Sequence, residues 1–143
     1  MYVADHLVLR QKAFGGDLDD YIEGNDGRDI LVGDMALYET WPNSRLPKRI
    51  STIDCDVGGS DDLYGGEGDV DYIVGGSSND TIFADDSTYT DNSTLGIVFG
   101  DHAEIMFYEN HSHRLDQGIT INADCESGGS DIIILGPGDD WVS

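Results

Sequence analysis

The sequence predicts an all-β fold, a parallel solenoid built from short repeated units, and three observations support this class. A unit of nine residues recurs seven times along the 143-residue chain. Each unit places an Asp two residues before an aliphatic residue, with Gly-rich residues ahead of the Asp. The formal net charge of -22 comes mostly from Asp, with 23 Asp against 6 Glu. Asp exceeds Glu where a short carboxylate lies close to the backbone, in turns and in oxygen cages for cations.

The composition excludes several classes of protein. A chain this acidic does not hold a nucleic-acid backbone or an anionic membrane surface by charge. No stretch of it approaches the ~18 apolar residues of a membrane-spanning helix. Asp and Gly are the leading residues of this composition, whereas a coiled coil is rich in Ala, Glu, Lys and Leu. The length suits one domain covering residues 1–143, and we expect neither a nucleic-acid partner nor membrane insertion.

The repeats fall into three runs, at residues 15–32, 56–83 and 126–143. The half of each unit around the aliphatic residue has the length of a short strand with one inward side chain. The Gly-rich half reverses the chain, because Gly adopts positive φ without strain. A single unit cannot bury its own apolar face, but stacked units share a core. Equivalent Asp residues then form rows along the turns. They are Asp20, Asp29, Asp61, Asp71, Asp80, Asp131 and Asp140.

These units resemble the repeats-in-toxin (RTX, hemolysin-type) nonapeptide GGxGxDxUx, in which U is a large aliphatic residue. Residues 24–32 match it closely, with Asn25 at the second Gly, whereas Leu18 and Ser78 replace the fourth-position Gly in two other units. The resemblance covers about 64 of the 143 residues. It implies a right-handed parallel β-roll, or β-helix, with calcium held between successive turns by Asp side chains and backbone carbonyls. It therefore implies that the seven repeated Asp residues are calcium ligands.

Two longer segments, 33–55 and 84–125, interrupt the runs. Each contains two apolar stretches around a polar tip, which predicts two protruding, hairpin-like inserts. Each also contains a Gly-Asp step followed by an apolar stretch, and these steps end in Asp34 and Asp101. We add Asp34 and Asp101 to the candidate calcium ligands, because they follow Gly in the inserts and could complete sites at the ends of the repeat runs. The extra carboxylates are either ligands or turn formers, and we favour turn formers. They are Asp19, Asp26, Asp69 and Asp139.

Several residues outside the repeats leave alternatives open. Cys55 and Cys125 either form a disulfide, pair between molecules, or lie buried as small apolar residues. Asn92 and Asn110 each begin a glycosylation sequon, and both are candidate glycan sites if the protein is secreted by a eukaryote. The basic cluster either pairs with an acidic surface of a neighbouring copy or is a solvated loop. It consists of Arg45, Lys48 and Arg49.

The functional expectation is an extracellular or cell-surface structural module that folds when calcium binds. Val142 is a core-type residue one position from the end of the sequence, so either the chain is excised from a longer array or its ends dock on other copies of itself. The second alternative predicts head-to-tail self-association, as in an adhesin, a surface layer or a filament. The alternative is a secretion or substrate-guiding module of a larger secreted protease, lipase or polysaccharide epimerase. We expect no catalytic activity, because the Asp residues sit in equivalent turns and there is no Ser-His-Asp pattern, phosphate loop or HExxH motif.

Overall fold

The regular structure of the described residues is entirely β-sheet, which confirms the predicted all-β class. Among the residues described, no helix is long and apolar enough to cross a membrane. The computed structural model describes residues 2–3, 10–54, 56–68, 70–84, 95–109, 115–120, 128–136 and 140–143.

Two parallel sheets form the repeat part of the molecule, here called the roll. Sheet 1 contains β1 (Tyr2–Val3), β3 (Tyr21–Glu23), β7 (Asp62–Tyr64), β10 (Thr81–Phe83) and β14 (Ile132–Ile134). Sheet 2 contains β2 (Arg10–Phe14), β4 (Asp26–Val32), β9 (Val70–Val74), β11 (Leu95–Phe99) and β15 (Trp141–Val142). The short strand β8 (Glu67–Gly68) pairs with the start of β4.

The chain visits the two sheets alternately, so one strand from each makes one coil of the roll. In both sheets the neighbours follow chain order, which stacks five coils in sequence. Coil 1 is β1 and β2, coil 2 is β3 and β4, coil 3 is β7 and β9, coil 4 is β10 and β11, and coil 5 is β14 and β15. All pairings within sheets 1 and 2 are parallel.

The register places the repeated aliphatic residues in two rows that face each other inside the roll. In sheet 1, Ile82 pairs with Leu63 on one side and with Ile133 on the other. In sheet 2, Leu31 pairs with Ile73. These side chains form one hydrophobic cluster, and Leu63, Ile73 and Ile82 are fully buried in it. Burial of such side chains stabilises the fold by roughly 1.5–3 kcal/mol each.

Two of the five stacked strands of sheet 2 lack the repeated Asp. In β2, Gln11 pairs with Asp29 and Ala13 with Leu31. In β11, Gly96 pairs with Asp71. A search that depends on Asp misses both strands. As a result, residues 95–99 belong to sheet 2 and not to the predicted insert 84–125.

The two inserts form hairpins that join in a single antiparallel sheet, sheet 3. They do not protrude as the sequence predicts, because sheet 3 packs on the outer face of sheet 2. A second core lies there, in which Ile50, Ile105 and Phe107 meet Val32 and Phe99. The last three residues of β4, β9 and β11 are thus buried on both faces of sheet 2, a state typical of strands with continuous apolar runs. Sheet 3 contains β5 (Ala36–Thr40), β6 (Pro47–Thr52), β12 (Ala103–Phe107) and β13 (Leu115–Thr120).

Two residues of the basic cluster find partners inside the chain. The Nε of Arg49, on β6, lies 3.2 Å from Glu39 on one neighbouring strand and 3.7 Å from Glu104 on the other. The ammonium of Lys48 lies 5.6 Å from the centre of the Trp41 ring. Arg49 therefore links the two hairpins across sheet 3.

Candidate calcium sites

The roll has two kinds of corner. At the plain corner the chain passes from sheet 1 to sheet 2 within one coil. At the insert corner it passes from sheet 2 to sheet 1 of the next coil, and both hairpins leave the roll there. The structure divides the seven repeated Asp residues between the two. The insert corner has Asp20, Asp61, Asp80 and Asp131, and the plain corner has Asp29, Asp71 and Asp140.

A ladder of hydrogen bonds joins the four Asp residues of the insert corner. The backbone N–H of Asp20 donates to Oδ1 of Asp61 at 2.7 Å, and that of Asp61 donates to Oδ1 of Asp80 at 2.9 Å. The N–H of Asp80 donates to Oδ1 of Asp131 at 3.0 Å. One oxygen of each acceptor carboxylate is thereby fixed against the neighbouring coil. Its second oxygen is held at the same corner.

The second oxygens of Asp61 and Asp80 are buried, and neither has a hydrogen-bond partner among the described residues. Burial, with a smaller contribution from neighbouring carboxylates, raises the pKa of Asp61 to about 7 and the pKa of Asp80 to about 8. Burial also raises the pKa of Asp131. A buried carboxylate without a partner is costly in its charged form. A cation at this corner would supply the missing partner.

Backbone carbonyls meet these carboxylate oxygens at the glycines of the turns. A Cβ on Gly24 would lie 2.7 Å from Oδ2 of Asp29 and closer still to the carbonyl oxygen of Gly65 in the next coil. A Cβ on Gly75 would meet Oδ2 of Asp80 and the carbonyl oxygen of Gly100 in the same way. Carboxylate and carbonyl oxygens are the ligands that Ca²⁺ prefers. The residues at these corners therefore fit calcium.

The oxygen atoms at each corner come from both carboxylates and main-chain carbonyl groups, so the carboxylates alone do not form a complete metal site. Within the ranges that the structure describes, no three His, Cys, Asp or Glu side chains cluster closely enough to hold a metal ion.

The plain corner carries a shorter ladder. The N–H of Asp29 donates to Oδ1 of Asp71 at 2.9 Å. In coil 4 the place of the Asp is taken by Gly96, whose N–H still donates to Oδ1 of Asp140 at 2.8 Å. The backbone pattern thus continues through coil 4, but the row of carboxylates is interrupted there.

Asp34 and Asp101 occupy a different environment from the seven repeated Asp residues. The buried carboxylate of Asp34 accepts hydrogen bonds from the backbone N–H groups of Gly59, at 3.2 Å, and of Ser77. Asp101 accepts from the N–H of Gly129 at 3.0 Å. Burial raises the pKa of Asp34, and the backbone hydrogen bonds oppose that shift. Each carboxylate connects the start of an insert to the Gly-Gly step where the chain returns, and so closes the insert.

A second ladder, which the sequence analysis missed, runs beside the Asp ladder of the insert corner. It uses the residue before each Asp. The N–H of Ser60 donates to Oδ1 of Asp19 at 2.9 Å, and that of Asn79 donates to the hydroxyl of Ser60 at 3.3 Å. The N–H of Ser130 donates to Oδ1 of Asn79 at 2.8 Å. Asp19 therefore holds a turn in place. The recurrence of Asp, Ser and Asn at one position was the available signal.

Two of the residues that replace a Gly of the repeat, Asn25 and Ser78, adopt the backbone conformation typical of Gly. Asn25, at the second Gly position, has φ of 67°, and Ser78, at the fourth, has φ of 70°. Asn is among the residues that tolerate this left-handed region best, whereas Ser adopts it less often. The turns therefore keep the Gly conformation without Gly.

Beside the Asp residues above, the structure shows one buried histidine, and six candidates from the sequence lie outside the described ranges. His102 is buried, and its Nε2 lies 3.2 Å from the hydroxyl of Ser77. This places it in the packing between an insert and the roll. The six outside the described residues are Cys55, Asp69, Asn92, Asn110, Cys125 and Asp139.

A family model for the RTX calcium-binding nonapeptide repeat matches the chain in four copies, at residues 14–35, 68–88 and 127–143. RTX nonapeptide repeats bind calcium. The matched ranges include six of the seven repeated Asp residues, all but Asp61, and also Asp34. No curated protein and no solved structure matches the chain.

Proposed function

Because the chain carries RTX calcium-binding nonapeptide repeats, we propose that it is an extracellular structural module that folds when calcium binds at its two corners. The seven repeated Asp residues are its ligands, together with the carbonyl oxygens of the Gly-rich turns. Asp34 and Asp101 close the inserts and bind no ion. The roll is right-handed, in keeping with the hand that parallel crossovers adopt.

The buried second oxygens of Asp61 and Asp80 are the observation that carries this proposal. Neighbouring carboxylates stand one coil apart along the same corner, so their charges repel when the site holds no cation. Bound calcium would supply positive charge to both. Since the corners form only when the coils stack, the free energy of calcium binding becomes folding free energy.

An extracellular location suits a site of this kind. RTX repeat proteins are typically secreted, and extracellular calcium modules work with dissociation constants of roughly 10⁻⁴–10⁻³ M. Such sites fill in a calcium-rich exterior and stay empty in the cytosol. Folding would then follow export.

The exposed surface of coil 5 supports end-to-end association of copies. The strands β14 and β15 are the last in the order of sheets 1 and 2. Ile132 is 60% exposed and Trp141 is 45% exposed, and Ile134, Leu135 and Val142 are exposed as well. An edge strand with exposed apolar side chains is a template for pairing with another strand. We propose that a second copy of the chain stacks on it.

Two measurements test the proposal. Isothermal titration calorimetry should show calcium binding with millimolar or tighter affinity, while magnesium at the same concentration binds more weakly, because Mg²⁺ demands a stricter octahedral site. Sedimentation velocity in calcium should show association that grows with protein concentration. The variant Ile132→Lys, which places a charge on the coil 5 surface, should reduce that association and leave calcium binding intact. Absence of calcium binding would refute the module. Calcium binding by a strictly monomeric chain would refute the self-association alone.

A further inference from the structure

At two corners of the roll, a Gly leaves room for the carboxylate of a repeated Asp. In coil 2, Gly24 faces Asp29, and a Cβ on Gly24 would lie 3.2 Å from the Cβ of Asp29 and 2.7 Å from its Oδ2. At the insert corner, a Cβ on Gly15 would lie 2.9 Å from the Cβ of Asp20. Carbon atoms do not approach so closely without displacement. In these stacked coils, the Gly is what makes room for the carboxylate.

Coil 4 has the reverse arrangement. Ala84 stands at the place of Gly24 and Gly65, since the N–H groups of all three donate to the last strand residue of the next coil. Gly96 stands at the place of Asp71. A Cβ on Gly96 would lie 2.9 Å from the Cβ of Ala84. The methyl group therefore takes the space that a carboxylate needs, and Ala84 is buried in the inner core.

We propose that the Ala84–Gly96 pair takes the place of a Gly–Asp pair, so that an apolar contact joins β10 and β11 where coils 2 and 3 have a calcium-binding carboxylate. The inference rests on the proposed calcium function of the other corners. It assigns a role to two residues that depart from the repeat, and it makes the two rows of calcium sites unequal in length.

The surroundings of the pair support a local change. The carbonyl oxygen of Ala84 still faces Gly65 beside Oδ2 of Asp71, so the site between coils 3 and 4 keeps its oxygens. The N–H of Gly96 still donates to Asp140. Among the described residues, coil 4 lacks a carboxylate at the place of Asp71. Leu135, at the equivalent place in coil 5, is 40% exposed, so that corner faces solvent and does not require the same exchange.

The double variant Ala84→Gly with Gly96→Asp tests the proposal, because it restores the Gly and Asp of coils 2 and 3. Native mass spectrometry in calcium would count the bound ions, and far-ultraviolet circular dichroism would report folding. The double variant should bind at least one calcium ion more than the wild type. The variant Ala84→Gly alone should bind the wild-type number and unfold at a lower temperature, because it loses the buried methyl group without gaining a carboxylate.

Each possible result bears on one of two proposals, the apolar contact in coil 4 or the calcium function of the chain. A folded double variant with the wild-type calcium count would overturn the inference, and so would an extra ion in Ala84→Gly alone. If the double variant does not fold, Ala84→Gly still decides, since an unchanged count with lower stability supports the apolar contact and a raised count refutes it. A wild-type chain that binds no calcium would instead refute the proposed function. Asp29→Asn should bind fewer ions than the wild type, which calibrates the count.

Discussion

The two corners of the roll use the same chemistry with different continuity. At the insert corner, Asp20, Asp61, Asp80 and Asp131 follow one another without a gap, and both hairpins leave from this side. At the plain corner, Gly96 interrupts the row in coil 4. A carboxylate between two others depends most on a cation, because it is repelled from both sides. The insert corner should therefore depend on calcium more strongly than the plain corner.

The largest effect is expected from Asp80→Asn, at the centre of the insert corner. The amide still has an oxygen for the N–H of Asp61 but loses the negative charge. Since ligand charge sets the affinity of calcium sites, the calcium concentration at half-folding should rise on the order of tenfold. The matched variant Asp140→Asn removes a plain-corner carboxylate that faces Gly96, and its shift should be smaller. Calcium titrations followed by circular dichroism measure both, and equal shifts would contradict the difference between the corners.

Acidification should weaken calcium binding at the insert corner. The pKa of Asp61 is raised to about 7 and that of Asp80 to about 8, and a protonated carboxyl group does not bind the ion. The calcium concentration at half-folding should therefore increase several-fold as the pH falls from about 8 to about 6.

The sign reverses when calcium is absent. The folded chain then holds these protons more tightly than the unfolded chain does, so stability falls as the pH rises from the ordinary carboxyl pKa of 3.8 to about 7 to 8. The residual β-sheet signal in excess chelator, followed by far-ultraviolet circular dichroism, should therefore fall over this range. A signal that rises instead would show that the carboxylates are not buried as the structure has them.

A moderate effect, independent of calcium, is expected from Asp34→Asn. This carboxylate accepts two backbone N–H groups and closes the first insert. The amide has one acceptor oxygen fewer, so the free energy of unfolding should fall by about 1–3 kcal/mol. The calcium midpoint should move only as far as this loss of stability requires. A shift as large as that of Asp80→Asn would instead identify Asp34 as a ligand.

The smallest effect is expected from Arg49→Gln, on sheet 3 and away from both corners. Arg49 pairs with Glu39 and Glu104, but its side chain is partly exposed. Ion pairs of this kind contribute about 1 kcal/mol or less. Urea unfolding in saturating calcium should therefore show a loss within that range, and a larger loss would mean that the link between the two hairpins is essential to the roll.

The sequence predicts the repeated part of the roll because each unit carries its own signal. Asp, Gly and an aliphatic residue at fixed spacing are enough to place Leu63 beside Ile82 and to gather the carboxylates at corners. The strands β2 and β11 lack this signal, since Gln11 and Gly96 stand where the other strands have the repeated Asp. Their pairing is enforced by backbone hydrogen bonds and by inward side chains such as Val98.

The position of sheet 3 depends on contacts between residues far apart in the chain. A weak signal for it exists in the strands that sheet 3 covers. Residues 30–32, 72–74 and 97–99 are apolar at all three positions, whereas residues 21–23 of sheet 1 end in Glu23. Three consecutive apolar residues indicate a strand buried on both faces. The partner that covers the second face cannot be read from the repeat itself.

The most direct test of the account is a calcium titration of chelator-treated protein, followed by far-ultraviolet circular dichroism. Without calcium, the chain should be largely unfolded. Calcium in the millimolar range or below should produce a cooperative gain of β-sheet signal. Magnesium should not replace calcium in this titration. A chain that shows the full β-sheet signal in chelator and does not respond to calcium would contradict the claim that folding is coupled to ion binding at the corners.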